Sequence, residues 1–185
     1  YQEDRFLGEE ITQWLVHFNL CRRDIGAIAW NKVFAQGMLG ASFTKTQLED
    51  YLVGVFGGKN RTGPMLVTYY EDAALLRAGI LKIDGETICR SKVPLISSFS
   101  TAYSAYMLSL IEVFFPSETQ VTVTDFNEVT QWFNICFWNE SEIEIALTMI
   151  GETGNISIDR QMRPWIIEKR RSSVELWPTI WDYLA

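Results

Sequence analysis

The sequence is poor in histidine and cysteine. It contains one histidine and three cysteines, and the cysteines (Cys21, Cys89 and Cys136) lie far apart without a Cys-x-x-Cys pair. This spacing gives no support to a disulfide scaffold or to a zinc site, and it favours reduced thiols. We therefore expect a cytoplasmic protein.

Long apolar segments are also missing. The longest apolar run extends from Met107 to Phe115 and is interrupted by Glu112. It is far shorter than the roughly 20 residues that a membrane-spanning helix needs. The first residues lack the basic and then apolar order of a signal peptide. The sequence therefore predicts no association with a membrane.

Positive charge is scarce as well. The chain has 16 Lys and Arg against 23 Asp and Glu, a net charge of −7, while 48% of its residues are hydrophobic and 14% aromatic. The apolar content is typical of a well-packed globular protein. The net charge gives no global attraction to nucleic acid, so any contact with DNA requires a local basic surface.

The first half of the chain predicts helices followed by a β-hairpin. Apolar spacing indicates a helix from about Gly8 to Arg22, and Thr44 with Gln47 predicts a capping box at the start of another. A further helix is expected from Pro64. Asp84-Gly85, between two short alternating runs, predicts a hairpin. Helices followed by a hairpin are typical of a winged-helix module.

The second half repeats this order. Caps are predicted at Ser100 and Thr124 for two successive helices, and a third helix is expected to start at Ser141. Strands and a closing aromatic helix are expected at 120–123, 156–160, 165–169 and 174–184. We therefore predict a mainly α fold with small β-hairpins, in two winged-helix-like units (residues 1–93 and 94–185) that share one core.

An ordered pattern in the first half resembles a known family. It consists of Trp14–Cys21 (WLVHFNLC), Ala29–Phe34 (AWNKVF) and Ser42-Phe43-Thr44. The pattern resembles a bacterial family of unknown-function proteins encoded beside DNA phosphorothioation genes, which includes the B component of the Ssp-type system. Members usually carry an N-terminal helix-turn-helix region before this block. Because this chain begins at that join without an initiator Met, we expect it to be a C-terminal part.

The resemblance implies a DNA-interacting component of a bacterial DNA phosphorothioate modification and anti-phage defence system, associated with DNA nicking. The implied partners are DNA, a cysteine desulfurase and ATP-dependent modification subunits. A divalent metal such as Mg²⁺ would be the expected cofactor of nicking. The acidic pairs of the sequence, such as Glu9-Glu10 and Glu71-Asp72, match no familiar nuclease arrangement, so no residue is assigned to catalysis and no metal ligand is predicted.

Basic residues concentrate at two places that could contact DNA. The second hairpin carries the larger group: Arg160, Arg163, Lys169, Arg170 and Arg171. It could lie along a DNA backbone, or it could be a solvated hairpin that balances an acidic protein. Lys59 and Arg61 precede a predicted helix N-terminus, where a phosphate would be stabilised, although a flexible loop between helices is the simpler explanation.

His17 and Trp165 are two further candidates. As the single imidazole, His17 could act as a general base, but it has no Cys or carboxylate at helical ligand spacing and a structural role is simpler. The tryptophans could stack on unpaired bases, yet most have the spacing of core residues. Trp165 on the basic hairpin is the exception.

Three functions are compatible with these features. The first is a DNA-nicking protein, by resemblance. The second is a non-catalytic winged-helix adaptor that binds DNA and partner modification proteins. The third is a structural interaction domain without DNA contact, which suits the overall acidity.

Overall fold

The structure is a computed structural model that describes Trp14, residues 42–56, Leu76, and residues 79–95, 97–161 and 163–184. It divides into two compact units. The N-terminal unit contains the described residues of Glu9–Val93 together with Asn134–Phe137. The C-terminal unit contains Pro94–Phe133 and the described residues from Trp138 onward.

The N-terminal unit holds a three-stranded antiparallel sheet and a helix that follows its first strand. The strands are β1 (Ser42–Thr44), β2 (Leu81–Asp84) and β3 (Thr87–Arg90), in the order β1-β3-β2, and the helix is α1 (Lys45–Phe56). Trp14 is helical and buried, as expected for the predicted first helix. The predicted helix from Pro64 lies outside the described residues.

The capping box at the start of α1 is confirmed. The backbone N–H of Thr44 donates to Gln47 Oε1 at 2.8 Å, and the N–H of Gln47 donates to Thr44 Oγ1 at 3.2 Å. These reciprocal bonds satisfy donors that a helix N-terminus leaves unpaired. Thr44 also ends β1, where it pairs with Thr87, so one residue both closes the strand and begins the helix.

The first hairpin is confirmed, but its turn lies one residue later than the Asp-Gly pattern predicts. Asp84 pairs with Thr87, which leaves Gly85 and Glu86 as the two-residue loop. Gly85 has a φ of +62°. The favoured two-residue hairpin turns need a positive φ at their first central position, which explains why the glycine occupies that place.

The C-terminal unit surrounds a long central helix. Its helices are α2 (Ser100–Phe114), α3 (Val123–Thr130), α5 (Glu140–Glu152) and α6 (Ser173–Leu184), together with the first two residues of α4 (Trp132–Ile135), whose last two belong to the N-terminal unit. Its strands are β4 (Gln120–Thr122), β5 (Ile156–Asp159) and β6 (Ile166–Lys169), in the order β4-β6-β5. Most of α2 is buried, as its nearly continuous apolar sequence predicts.

Aromatic side chains form the centre of this unit. Trp132 is fully buried and contacts the rings of Tyr106, Phe126, Phe133 and Trp138, at centroid distances of 5.5 to 6.1 Å. Edge-to-face and tilted pairs of this kind stabilise a core beyond the burial of their area. Core packing therefore accounts for Trp132 and Trp138, which excludes both from base stacking in this conformation.

The predicted helix caps in this unit are wrong by one or two residues. Thr122, not Thr124, caps α3, because its Oγ1 accepts from the N–H of Asp125 at 3.0 Å. Asn139 caps α5 through a capping box with Glu142, so this helix begins at Glu140, one residue before its expected start at Ser141. Ser100 is the first residue of α2 itself, where its hydroxyl donates to the Ser97 carbonyl at 2.7 Å.

The fold is therefore helical with two small antiparallel sheets. Each predicted hairpin is extended by a third short strand, β1 or β4, to give a three-stranded sheet. The strand predicted at 120–123 is confirmed as β4, whereas β1 was not predicted because Thr44 was assigned only to its cap. Within the described part of the chain, every helix is too short or too polar to cross a membrane.

Candidate nucleic-acid interface

The second predicted hairpin is formed by β5 and β6, and most of the candidate cations lie at its two ends. Antiparallel pairing runs from Ile156 with Lys169 to Asp159 with Ile166. Arg160 and Arg163 are therefore in the connecting loop, at one end. Lys169, Arg170 and Arg171 lie at the opposite end of the hairpin. We call β5, β6, their connecting loop and residues 170–171 the basic hairpin.

Arg163 is engaged by helix α5. Its Nη1 donates to Glu140 Oε1 at 3.2 Å, and its Nη2 donates to Glu144 Oε1 at 2.7 Å. Glu140 and Glu144 stand one turn apart on α5, so one guanidinium reaches both carboxylates. Arg163 was predicted to be available for phosphate, but its charge is paired within the protein.

Trp165 lies between two guanidinium groups. The Arg160 Cζ is 5.1 Å and the Arg163 Cζ is 5.6 Å from the centroid of its ring, within the range of a cation–π interaction. Arg160 also donates from Nη2 to Thr148 Oγ1 on α5, at 2.8 Å. Trp165 is half-buried, so its ring supports the two arginines and is not presented freely for base stacking.

The cations at the other end differ in their surroundings. Arg170 is exposed and forms an ion pair with Glu168 at 2.9 Å. Lys169 is half-buried, and its charge lowers the pKa of Glu112 on α2. Arg171 is exposed, and within the described part of the chain no carboxylate lies within ion-pair distance of it. Arg171 is therefore the cation of this hairpin most accessible to an external phosphate.

An open groove of about 890 Å³ follows the outer edge of β5. β5 is an edge strand of its sheet, and the C-terminal half of α5 forms the opposite side of the groove at Thr148, Gly151 and Glu152. Arg160 and Arg170 line it from either end of the strand. The groove thus connects the two ends of the basic hairpin along one side of the sheet.

The N-terminal unit contains a half-buried cation that was not among the predicted site residues. Arg90 ends β3, donates from Nη2 to the carbonyl of Asn134, and lies 4.3 Å from the ring centroid of Phe137. Burial lowers its pKa to about 10, while the nearby Cys136 acts in the opposite direction. Arg90 remains charged at neutral pH and ties 134–137 to this unit. Its position at the end of a predicted hairpin strand was the available signal.

Acidic residues do not converge on a metal-binding geometry in the described part of the chain, where no group of three or more His, Cys, Asp or Glu is placed to hold an ion. The cluster at the start of α5 has other partners. Glu140 and Glu144 pair with Arg163, and Glu142 completes the capping box with Asn139. The remaining candidates, Lys59, Arg61 and His17, lie outside the described residues.

No protein-family model matches the chain, and neither a curated protein nor a solved structure matches it.

Proposed function

We propose that this chain is a non-catalytic winged-helix adaptor of a bacterial DNA phosphorothioate modification and defence system. It contacts DNA through the basic hairpin of its C-terminal unit, and its other surfaces serve partner modification proteins such as a cysteine desulfurase and ATP-dependent subunits. The system is proposed from the family resemblance of the N-terminal sequence pattern. The mode of DNA contact is proposed from the charges and contacts of the C-terminal unit.

The order of elements supports a winged-helix assignment. In the C-terminal unit α2, β4, α3 and α5 precede the β5–β6 hairpin, and β6 lies between β4 and β5. A short strand before the second helix, with two later strands returning beside it, makes α5 the counterpart of a recognition helix. The N-terminal unit shows the same sheet order, β1-β3-β2, with α1 directly after β1.

Charge argues against the usual use of that helix. Recognition helices that enter the major groove approach two phosphate backbones, which favours cations on their surface. α5 contains Glu140, Glu142, Glu144 and Glu152 and no Lys or Arg. A phosphate backbone would be repelled along this helix, so we place the DNA contact on the hairpin.

The observation that carries the proposal is the accessible cationic end of the hairpin. Arg170 and Arg171 are exposed, and their neighbouring carboxylate, Glu168, pairs with Arg170 directly at 2.9 Å on the protein surface. Arg170 has a single carboxylate partner, and a single surface ion pair contributes little, so exchanging that carboxylate for a phosphate costs little. Contacts of this type position a protein on the duplex without reading its sequence, which is what an adaptor requires.

The test is a DNA-binding titration of the double variant R170E/R171E over a series of salt concentrations. Loss of two phosphate contacts is expected to reduce the slope of log affinity against log salt by about 1.8. The matched control is K82E/K92E, which changes net charge equally within the N-terminal unit. If both double variants change the salt slope equally, net charge alone explains the change. That result would contradict DNA contact through the hairpin.

Cleavage is a separate matter. DNA nicking is implied by the family resemblance alone, and we assign no described residue to it. Incubation of supercoiled plasmid with the chain, with Mg²⁺ or Mn²⁺, tests the adaptor interpretation directly. Conversion to open circles that chelation abolishes would overturn it in favour of a nicking protein.

A further inference from the structure

Among the described residues, the basic hairpin contains one arginine that forms ion pairs with another element. Arg163 bonds to Glu140 and to Glu144 of α5, at 3.2 Å and 2.7 Å. Arg170 instead pairs with Glu168 of its own hairpin, and Arg160 meets the neutral hydroxyl of Thr148. In the part of the chain that the structure describes, the Arg163 contact is therefore the ionic connection between the hairpin loop and the acidic helix.

This connection is polar and exposed. The side chains of Arg163, Glu140 and Glu144 are 68%, 83% and 42% exposed. A cleft of about 190 Å³ separates loop and helix beneath them, lined by Val123, Ile143, Leu147, Pro164 and Trp165. Because the loop does not pack closely on the helix here, separating the ion pairs uncovers little apolar surface. The contact can open without disturbing the core.

We propose that Glu140 and Glu144 act as an internal competitor of DNA phosphate for Arg163, and thereby hold the basic hairpin in a state of reduced DNA affinity. This inference rests on the proposed function, since it describes how the proposed DNA contact is regulated. We call Arg163 with its two carboxylates the arginine clasp. In the closed clasp the guanidinium donates to protein oxygens. In the open clasp the same donors face a phosphate.

Geometry makes the competition direct. A carboxylate and a phosphate both accept donors from a guanidinium, and the N–H groups of Nη1 and Nη2 that point to Glu140 and Glu144 cannot point to a phosphate at the same time. Trp165 supports the guanidinium from the ring face in either case. Glu142 does not take part, because its carboxylate accepts from the N–H of Asn139 at 2.9 Å in the capping box.

Neutralising the two carboxylates should open the clasp. The variant E140Q/E144Q keeps the size of both side chains and removes their charge. We expect tighter binding of a short duplex DNA and a salt slope steeper by about 0.9, the value of one added phosphate contact. Between about 50 mM and about 200 mM salt, that contact multiplies the loss of affinity by about 3.5-fold.

Arg163 itself provides the decisive comparison. In the wild-type chain, where the clasp is closed, R163Q should leave the salt slope nearly unchanged, because the carboxylates already occupy the guanidinium. In the E140Q/E144Q background R163Q should remove the steeper slope. Any gain in DNA affinity that comes only from the loss of negative charge would remain in the triple variant E140Q/E144Q/R163Q. The control E118Q/E128Q removes the same charge at two other exposed glutamates of this unit, and its slope should match the wild type.

Two results would overturn the clasp. One is a triple variant that keeps the full gain of E140Q/E144Q. The other is a single R163Q variant that loses as much slope as a free phosphate contact would. If the proposed function is wrong, the pattern is different. R170E/R171E then changes the salt slope no more than K82E/K92E does, whatever the effect of the clasp variants. The two ideas therefore fail separately.

Discussion

We expect Glu112 to make a measurable, pH-dependent contribution to the stability of the C-terminal unit. This residue lies on α2, and its carboxylate accepts from the backbone N–H of Ser173 at 3.0 Å and from the Ser173 hydroxyl. Ser173 is the first residue of α6. A carboxylate from one helix therefore satisfies an N-terminal donor of another, where the helix dipole also favours negative charge.

The size of the effect follows from these bonds. Hydrogen bonds to a charged acceptor contribute about 1.5–3 kcal/mol when buried, and the partial exposure of Glu112 reduces that figure. We expect E112Q to lower the free energy of unfolding by roughly 1–2 kcal/mol at neutral pH. Glutamine offers a single acceptor oxygen without charge, so it cannot replace both bonds at full strength.

The pH dependence has a definite sign. Burial raises the pKa of Glu112, but the hydrogen bonds from Ser173 and Ser172 and the charge of Lys169 outweigh burial, and the net pKa lies below the ordinary value of 4.5. The folded pKa is therefore lower than the unfolded pKa. The stabilisation is complete above the unfolded pKa and is lost as the pH falls through the folded pKa.

Urea denaturation of the wild type and E112Q measures the free energy of unfolding of each protein. We would carry it out at neutral pH and again at a pH well below the folded pKa of Glu112. The difference between the two proteins should shrink as the wild-type carboxyl becomes protonated. E118Q is the control, because Glu118 is exposed and its loss should change stability little at either pH. A difference between wild type and E112Q that stays constant with pH would refute the argument, since only a titrating group can produce the convergence.

Two further predictions concern local structure. T122A should destabilise the C-terminal unit by about 0.5–2 kcal/mol because it removes the cap of α3, whereas T124A should change the urea midpoint little, and equal effects would contradict the cap assignment. In the N-terminal unit, G85A should cost about 1 kcal/mol at its φ of +62°. G54A should instead stabilise the unit by about 0.5–1 kcal/mol, because the site lies within α1 and a Cβ there meets no atom within 4 Å. A melting temperature that falls in G85A and rises in G54A would confirm both predictions.

Periodicity and turn chemistry were sufficient for most elements of the described chain. The helices α2 and α6 and both hairpins follow from apolar spacing and from Gly and Pro positions, because those signals depend on backbone preferences that are local. The capping box of Thr44 is equally local and was predicted atom by atom. Caps at Ser100 and Thr124 were wrong because any nearby Ser or Thr is compatible with the pattern, and the surrounding sheet decides which one serves. Thr122 holds that position because it ends β4.

Glu112 shows what local patterns cannot supply. In the sequence it is an interruption of an apolar run, and its role depends on Ser173, 61 residues later. β1 was missed for a related reason, since a strand of three residues has no periodicity of its own and exists through its pairing with β3. Both features arise from contacts that are remote in sequence, and helical or strand spacing carries no record of them.

The candidate interface depends on the same distinction between composition and pairing. Counting cations along the second hairpin gives Arg160, Arg163, Lys169, Arg170 and Arg171 equal weight, yet the folded chain assigns them different partners. Arg163 meets two carboxylates, Arg160 meets a hydroxyl and a ring, and Arg171 remains exposed. A phosphate contact needs a donor that is accessible and whose existing partner is weak. The accessible charge of this hairpin is therefore smaller than its sequence suggests, and an acidic protein with such a surface should bind DNA with a shallow salt slope that the state of Arg163 can change.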